Sequence, residues 1–265
     1  MIKKIAHIAD IHFRNIQRHD EFRAVCENFI AQMRIMEPDR IVIAGDIVHS
    51  RNQISPELVN EVSWFLSECS EVTGKVIIIP GNHDIVEQNK ERMDALTPII
   101  KTLRVDNIEY YTKSGLYKDE NVVWSVFSIF DNHMTPEHIE SRPHEGTYIG
   151  LYHGTIVGAV NEMGFKFTHG VELSKFRYCD LVLCGDIHKR QEFKVSETPV
   201  IMVGSLVQQN YGETISKHGF NIVHLSEDGK ITNDFHDIEN PIKYLTFKIT
   251  DITDIDEDRE FLVNG

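Results

Sequence analysis

Cysteine is scarce in this chain. Cys26, Cys69, Cys179 and Cys184 are the only four in 265 residues, and they lack the paired spacing of a zinc knot or a disulfide framework. Three of them sit on apolar faces, as reduced core residues do. Long hydrophobic runs are also missing, since none approaches the ~18 to 20 residues of a membrane helix. Met1 to Lys4 leads directly into a short strand-like segment without a cleavage site. The expectation is a soluble, unexported, cytoplasmic chain with no membrane partner. Positive charge is short as well: 27 Lys and Arg face 41 Asp and Glu, for a formal net charge of −14. That excludes the broad basic surface of a self-sufficient nucleic-acid binder, but not a local basic rim. The acid is uneven, for residues 227–265 hold 11 acidic and 4 basic side chains. Apart from the run Asp251 to Glu260, which reads as a solvated tail, no low-complexity segment or repeat is present.

Apolar periodicity places short strands and helices in alternation. Ile5 to Ala9 reads as a buried strand, and Phe22, Val25, Cys26, Phe29, Ile30 and Met33 as the apolar face of a helix stopped at Pro38. Ile41 to Ala44 is a second strand. Ser55-Pro56-Glu57 opens a helix with Ser55 as N-cap, and Lys75 to Ile79 is a third strand. Strand, helix, strand, helix, strand implies a parallel sheet covered by helices. The second half is richer in strands: Val122 to Phe130, Tyr148 to Tyr152, Leu181 to Cys184, Gln191 to Val195, Val200 to Val203, and a hairpin from Phe220 to Phe235 turning at Glu227 to Lys230. These suggest a second, mixed sheet. Helices are expected at Thr97 to Leu103, Pro136 to Glu140 and Glu172 to Tyr178, while Thr155 to Gly170 is a long Gly-punctuated loop without periodicity.

The chemistry gathers where strands end. Asp10 and His12 follow the first strand, Asp46 the second, and Asn82 and His83 the third. His153 follows Tyr148 to Tyr152, and Asp186 and His188 follow Leu181 to Cys184. Carboxyl ends of parallel strands share one edge, so these loops converge on one crevice. Carboxylate and imidazole are the ligands that suit Mn, Fe and Zn, and repeated placement after buried strands is not the habit of isolated core histidines.

The series Asp10-x-His12, Gly45-Asp46-x-x-His49, Gly81-Asn82-His83-Asp84, His153-Gly154 and Gly185-x-x-His188 resembles the calcineurin-like metallophosphoesterase superfamily. Within it, Gly45 to Arg51, Gly204-Ser205-Leu206 and Tyr211-Gly212-Glu213 resemble the SbcD-type nuclease subunits of DNA double-strand-break repair complexes, including the phage recombination nucleases. The resemblance implies an α/β fold, a four-layer αββα sandwich of two mixed β-sheets flanked by helices, with a dinuclear site on one edge. Asp10, His12, Asp46 and His188 would hold one divalent ion. Asp46 would bridge to a second, held also by Asn82, His153 and Asp186. Most relatives carry His at the position of Asp186; a carboxylate there shifts preference toward harder ions such as Mn²⁺, or Mg²⁺, over zinc.

Two such ions activate water and stabilise in-line displacement at phosphorus. His83 would face the scissile phosphate, with Asp84 orienting its ring. His49, Arg51, Lys189 and Arg190 are candidate substrate contacts, and Arg14 and Arg18 lie close enough in sequence to join them. The implied activity is that of a DNA exo- or endonuclease, with DNA and an SbcC-like ATPase subunit as partners and room for a homodimer. It would work in the bacterial cytoplasm or, if phage-encoded, that of the infected host. A calcineurin-like phosphatase or cyclic-nucleotide phosphodiesterase is the alternative. Residues 1–236 form the expected nuclease domain. Residues 237–265, with a strand-like run at Tyr244 to Ile249, read as a tail or the start of an incomplete capping domain.

Overall fold

The computed structural model describes residues 1–85, 92–214 and 217–245. The chain opens with β1 (Lys4–Ile8), α1 (His19–Met36), β2 (Arg40–Ala44), α2 (Pro56–Glu71), β3 (Lys75–Ile79), α3 (Leu96–Leu103) and β4 (Ile108–Tyr110). It continues through β5 (Gly115–Asp119), β6 (Val122–Phe127), β7 (Thr147–His153), β8 (Leu181–Gly185), β9 (Gln191–Val195), β10 (Thr198–Met202), β11 (Gly219–Leu225) and β12 (Ile231–Asp237). Local chemistry sets the helix ends: the Ser55 hydroxyl accepts the Leu58 N–H at 3.1 Å, with Pro56 in the first turn of α2.

Two six-stranded mixed sheets face each other, ordered β12-β11-β1-β2-β3-β4 and β5-β6-β7-β8-β10-β9. Strands β1 to β4 are parallel, as are β6, β7, β8 and β10. The period of two along each strand divides its side chains between layers. Ala6 and Ile8 of β1 pack under α1 and α2, whereas Ile5 and Ala9 join Val42, Ile77, Trp124, Leu151 and Leu183 between the sheets. A third cluster, with Val123, Tyr148 and Val182, covers the outer face of the second sheet. All four cysteines are buried and free.

Several expectations change. The hairpin of β11 and β12 belongs to the first sheet, because Ala6 and His7 pair with Ile222 and Asn221 in antiparallel register. The helices expected at Pro136 to Glu140 and Glu172 to Tyr178 are single 3₁₀ turns, Ile139–Ser141 and Leu173–Phe176, so the layer over the second sheet is thin. Strands β4 and β5 were not anticipated; the former has three half-buried residues, too few for an alternation to show. Tyr244 and Leu245 are not in a strand, and the rest of the expected run Tyr244 to Ile249 lies outside the described residues, with the acidic run that follows.

Candidate metal centre

The carboxyl ends of β1, β2, β3, β7 and β8 lie on one edge, and the two sheets are tied together there. His153, the last residue of β7, donates from Nδ1 to the Ala44 carbonyl at the end of β2, 2.7 Å away. Gly45 allows this approach: its φ is +90°, and a Cβ would run into the His153 ring. Gly81 is equally constrained, since a Cβ there would collide with Asp46 Oδ1. Asp10, His12, Asp46 and Asp186 all have positive φ, at 53°, 58°, 53° and 99°. Non-glycine residues in that region carry about 1–3 kcal/mol of strain each, and surrounding bonds must hold them there. Asp10 N–H is bound to the Gly45 carbonyl at 3.1 Å and His12 N–H to the Asp46 carbonyl at 3.0 Å. Asp186 N–H lies 3.1 Å from both Asp10 carboxylate oxygens.

The seven expected ligands are brought together. His12 Nε2 and His188 Nε2 stand 3.0 Å apart, and Asp46 Oδ2 lies 3.5 Å from His12 Nε2 and 3.4 Å from His153 Nε2. Asn82 Oδ1 is 2.9 Å from His153 Nε2, and Asp186 Oδ1 reaches within 4.0 Å of it. One ligand atom from each of Asp10, His12 and His188 falls within a 4.8 Å cluster, and so does one from each of Asp10, Asp46 and His153. Asp10 belongs to both clusters, and Asp46 Oδ2 lies between His12 and His153. Asp186 divides its carboxylate, with Oδ2 taking the Thr155 hydroxyl at 2.9 Å.

Burial and charge shape the titration of this group. Desolvation raises the Asp10 carboxyl to about 7. Burial also opposes ionisation of Asp46, but His153 and His12 outweigh it and hold that carboxyl well below its usual range. Burial disfavours the His188 cation, yet the hydrogen bond to Glu213 and the charges of Asp10 and Asp46 raise it to about 9. His153 is raised in the same way by Asp46. Carboxylates that draw protons onto adjacent imidazoles demand positive charge, which two divalent cations satisfy while displacing the protons. Three carboxylates, an amide oxygen and three imidazoles on one edge fit such a pair.

The flanking residues are sorted differently from expectation. His83 Nδ1–H donates to the His49 carbonyl at 2.6 Å, and the two rings stack at 5.6 Å. One nitrogen from each of His12, His49 and His83 lies within a 4.8 Å cluster, so both flanking imidazoles face the site. Asp84 does not orient His83. It is fully buried and accepts three backbone N–H groups, from Gly81 (2.8 Å), Asp46 (2.9 Å) and Val48 (3.0 Å). It stitches the β2 and β3 loops together.

Arg51 is also reassigned. It donates to the Asn82 carbonyl at 3.3 Å, beside a candidate ligand, and lines a cavity between α2 and α3. Arg18 is a strut, bound to Glu21 and to the carbonyls of Gln208 and Gln209, with Tyr244 under its guanidinium at 4.6 Å. Arg14 does border the site, in a cavity of about 580 Å³ shared with His49 and Gln53. Lys189 and Arg190 line another of about 290 Å³ with Lys217 and His218. The residue that sequence reasoning missed is Glu213, which accepts His188 Nδ1–H at 2.6 Å and is itself fixed by the Gln209 N–H at 2.8 Å. Its only signal was membership of the Tyr211-Gly212-Glu213 motif.

A buried edge of carboxylates and imidazoles between two mixed sheets defines a metal-dependent phosphoesterase. The family model for calcineurin-like phosphoesterases matches residues 3–190, and the chain belongs to that family. It is 36% identical over 262 residues to an uncharacterized protein of Acanthamoeba polyphaga mimivirus, covering 94% of this chain and 19% of that protein. It therefore spans about a fifth of that relative's length. It is also 25% identical over 266 residues to the SbcD subunit of nuclease SbcCD from Staphylococcus saprophyticus, covering 88% of this chain and 68% of the other. Among solved structures, a dimetal phosphatase from Danio rerio shares the fold with a TM-score of 0.56 at 13% identity, covering 90% of this chain and 99% of that one. Among the described residues no helix is long and apolar enough to cross a membrane.

Proposed function

We propose that this chain is a dinuclear metal-dependent DNA phosphodiesterase, the nuclease subunit of an SbcC/SbcD-like assembly with an ATPase partner. The observation that carries phosphoester hydrolysis is the convergence of seven ligand-type side chains beside His83, whose ring is held by the His49 carbonyl. DNA as substrate is supported by the similarity to the SbcD subunit of nuclease SbcCD along most of the chain. The pair of divalent ions, Mn²⁺ or Mg²⁺ in this reading, lowers the pKa of a water and polarises the phosphoryl oxygens.

The protein's own groups do the rest. Asp10, His12, Asp46 and His188 would hold one ion, and Asn82, His153 and Asp186, with Asp46, the other. His83 donates its Nδ1–H to the His49 carbonyl, which would leave Nε2 to face the phosphate and stabilise developing charge or serve the leaving oxygen. His49 packs beside it. Arg14 on one flank, and Lys189 and Arg190 on the other, offer cations to neighbouring phosphates. Four free cysteines suit the reducing cytoplasm. With a net charge of −14, the chain relies on its partner for most duplex affinity.

The test compares nucleotide release from linear duplex and single-stranded DNA with phosphate release from p-nitrophenyl phosphate, in Mn²⁺, Mg²⁺ and Zn²⁺. Nucleotide release that is strongest in Mn²⁺ supports the reading. Phosphate release from the monoester with no DNA cleavage in any metal overturns it in favour of a phosphatase.

A further inference from the structure

The segment Thr155 to Gly170, which shows no periodicity in sequence, folds back on itself beside the metal centre. Ile156 bridges Val171 and Val160 bridges Lys166. Gly158 N–H donates to the Phe167 carbonyl at 2.8 Å, Phe167 N–H to the Ala159 carbonyl at 2.8 Å, and Asn161 N–H to the Phe165 carbonyl at 3.0 Å. Gln191 clamps the outer strand, accepting the Val160 N–H at 2.8 Å and donating to the Val160 carbonyl at 2.7 Å. At its base the Thr155 hydroxyl binds the candidate ligand Asp186. The backbone is therefore held at many points, yet the tip turns apolar groups to solvent: Met163 is 87% exposed and Phe165 56%.

Between this hairpin and the metal centre lies a cavity of about 300 Å³. Met163 and Phe167 form one wall, and Asp186, His188 and Glu213 the other, with Asn161 and Asn210 at the margins. Asp186 and His188 belong both to this cavity and to the candidate centre, so the space adjoins it directly. Its charges decide what is admitted. Among the described residues no Lys or Arg lines it, so the chain offers a second phosphate no basic side chain there. A flat, uncharged group with polar edges is accepted, and a nucleobase has that form. The cations that the cavity lacks stand next door, where Lys189, Arg190 and Lys217 line the adjoining cavity that meets this one at Glu162.

We propose that the cavity beneath the Thr155 to Gly170 hairpin holds the nucleobase adjacent to the scissile phosphate, stacked on Phe167 and Met163. The proposal rests on the phosphodiesterase reading above and adds the residues that position the strand.

The test uses single-stranded oligonucleotides carrying one abasic residue, moved step by step through the cleavage position, with wild type, Met163→Ala and Met163→Ala/Phe167→Ala. Phe167 also packs on the outer core, so the exposed Met163 provides the variant that keeps the fold, verified by thermal unfolding. In wild type, one abasic position should lower kcat/KM by about fivefold or more, the scale of a lost base–aromatic stack. In the variants the cost of that same position should shrink toward unity. A 2-aminopurine placed there should be quenched on binding to wild type in EDTA and less so in the double variant. Equal abasic cost at every position, or equal loss by the variants on complete and abasic strands, overturns the base site while leaving the nuclease reading intact. Absence of cleavage of any oligonucleotide beside turnover of p-nitrophenyl phosphate overturns both.

Discussion

Replacing Asp84 by Asn separates two accounts of a residue that sequence alone pairs with His83. The Asp84 carboxylate is fully buried and accepts N–H groups from Gly81, Asp46 and Val48. Asn keeps one acceptor oxygen. With its carbonyl on Gly81 and Asp46, its amide NH₂ faces the Val48 N–H, donor against donor. A lost hydrogen bond costs about 0.5–1.5 kcal/mol, and an unpaired buried donor about 1–3 kcal/mol. The net loss should be about 2–4 kcal/mol, allowing for relaxation, which in a chain of this size is a fall in Tm of about 4–10 °C. The Asp46 N–H is one of the three, so the strained backbone of the bridging ligand loosens as well, and metal affinity should fall about tenfold or more. Circular dichroism melts in EDTA measure the first effect and calorimetric titration with Mn²⁺ the second. An Asp84→Asn protein that melts with wild type and binds Mn²⁺ as tightly, but turns over slowly, would refute this reasoning and restore the direct partnership with His83.

His83→Gln should lower turnover by about 10² or more with metal content unchanged if the ring serves the phosphate as proposed; loss of metal by elemental analysis would make it a ligand. Glu213→Gln should weaken metal binding about 10- to 100-fold by releasing His188 Nδ1, measured by competition with a fluorescent chelator. His7 is fully buried in β1, and burial lowers its pKa to about 3. Its native pKa lies below the unfolded value of 6.5, so the unfolded chain takes the proton first and stability is lost as pH falls from 6.5 toward 3. Between pH 7 and 5 this one group should remove about 2 kcal/mol, and denaturant melts at the two pH values should show that part of the loss missing from His7→Leu.

What the linear order of residues determined was the alternation of strands and helices and the identity of the candidate ligands. Runs such as Ile41 to Ala44 and Lys75 to Ile79 have no polar face, so they can only be buried between two layers. A polar ligand immediately after such a strand lies at a sheet edge whatever the rest of the chain does, which is why Asp10, Asp46, Asn82, His153 and His188 were legible together. The assignments that tertiary structure decided all depend on contacts remote in sequence. Asp84 is adjacent to His83 but binds the loop of β2. Arg18 and Arg51 lie near ligands in the chain, yet carbonyls of Gln208, Gln209 and Asn82 claim their guanidinium groups. Glu213 supports a histidine 25 residues away. The hairpin of β11 and β12 has the alternation of any half-buried pair, and that pattern does not say which sheet it joins. The unfilled edge beside β1, where Ala6 meets Ile222, settles it, because pairing there satisfies backbone groups that would otherwise be left open.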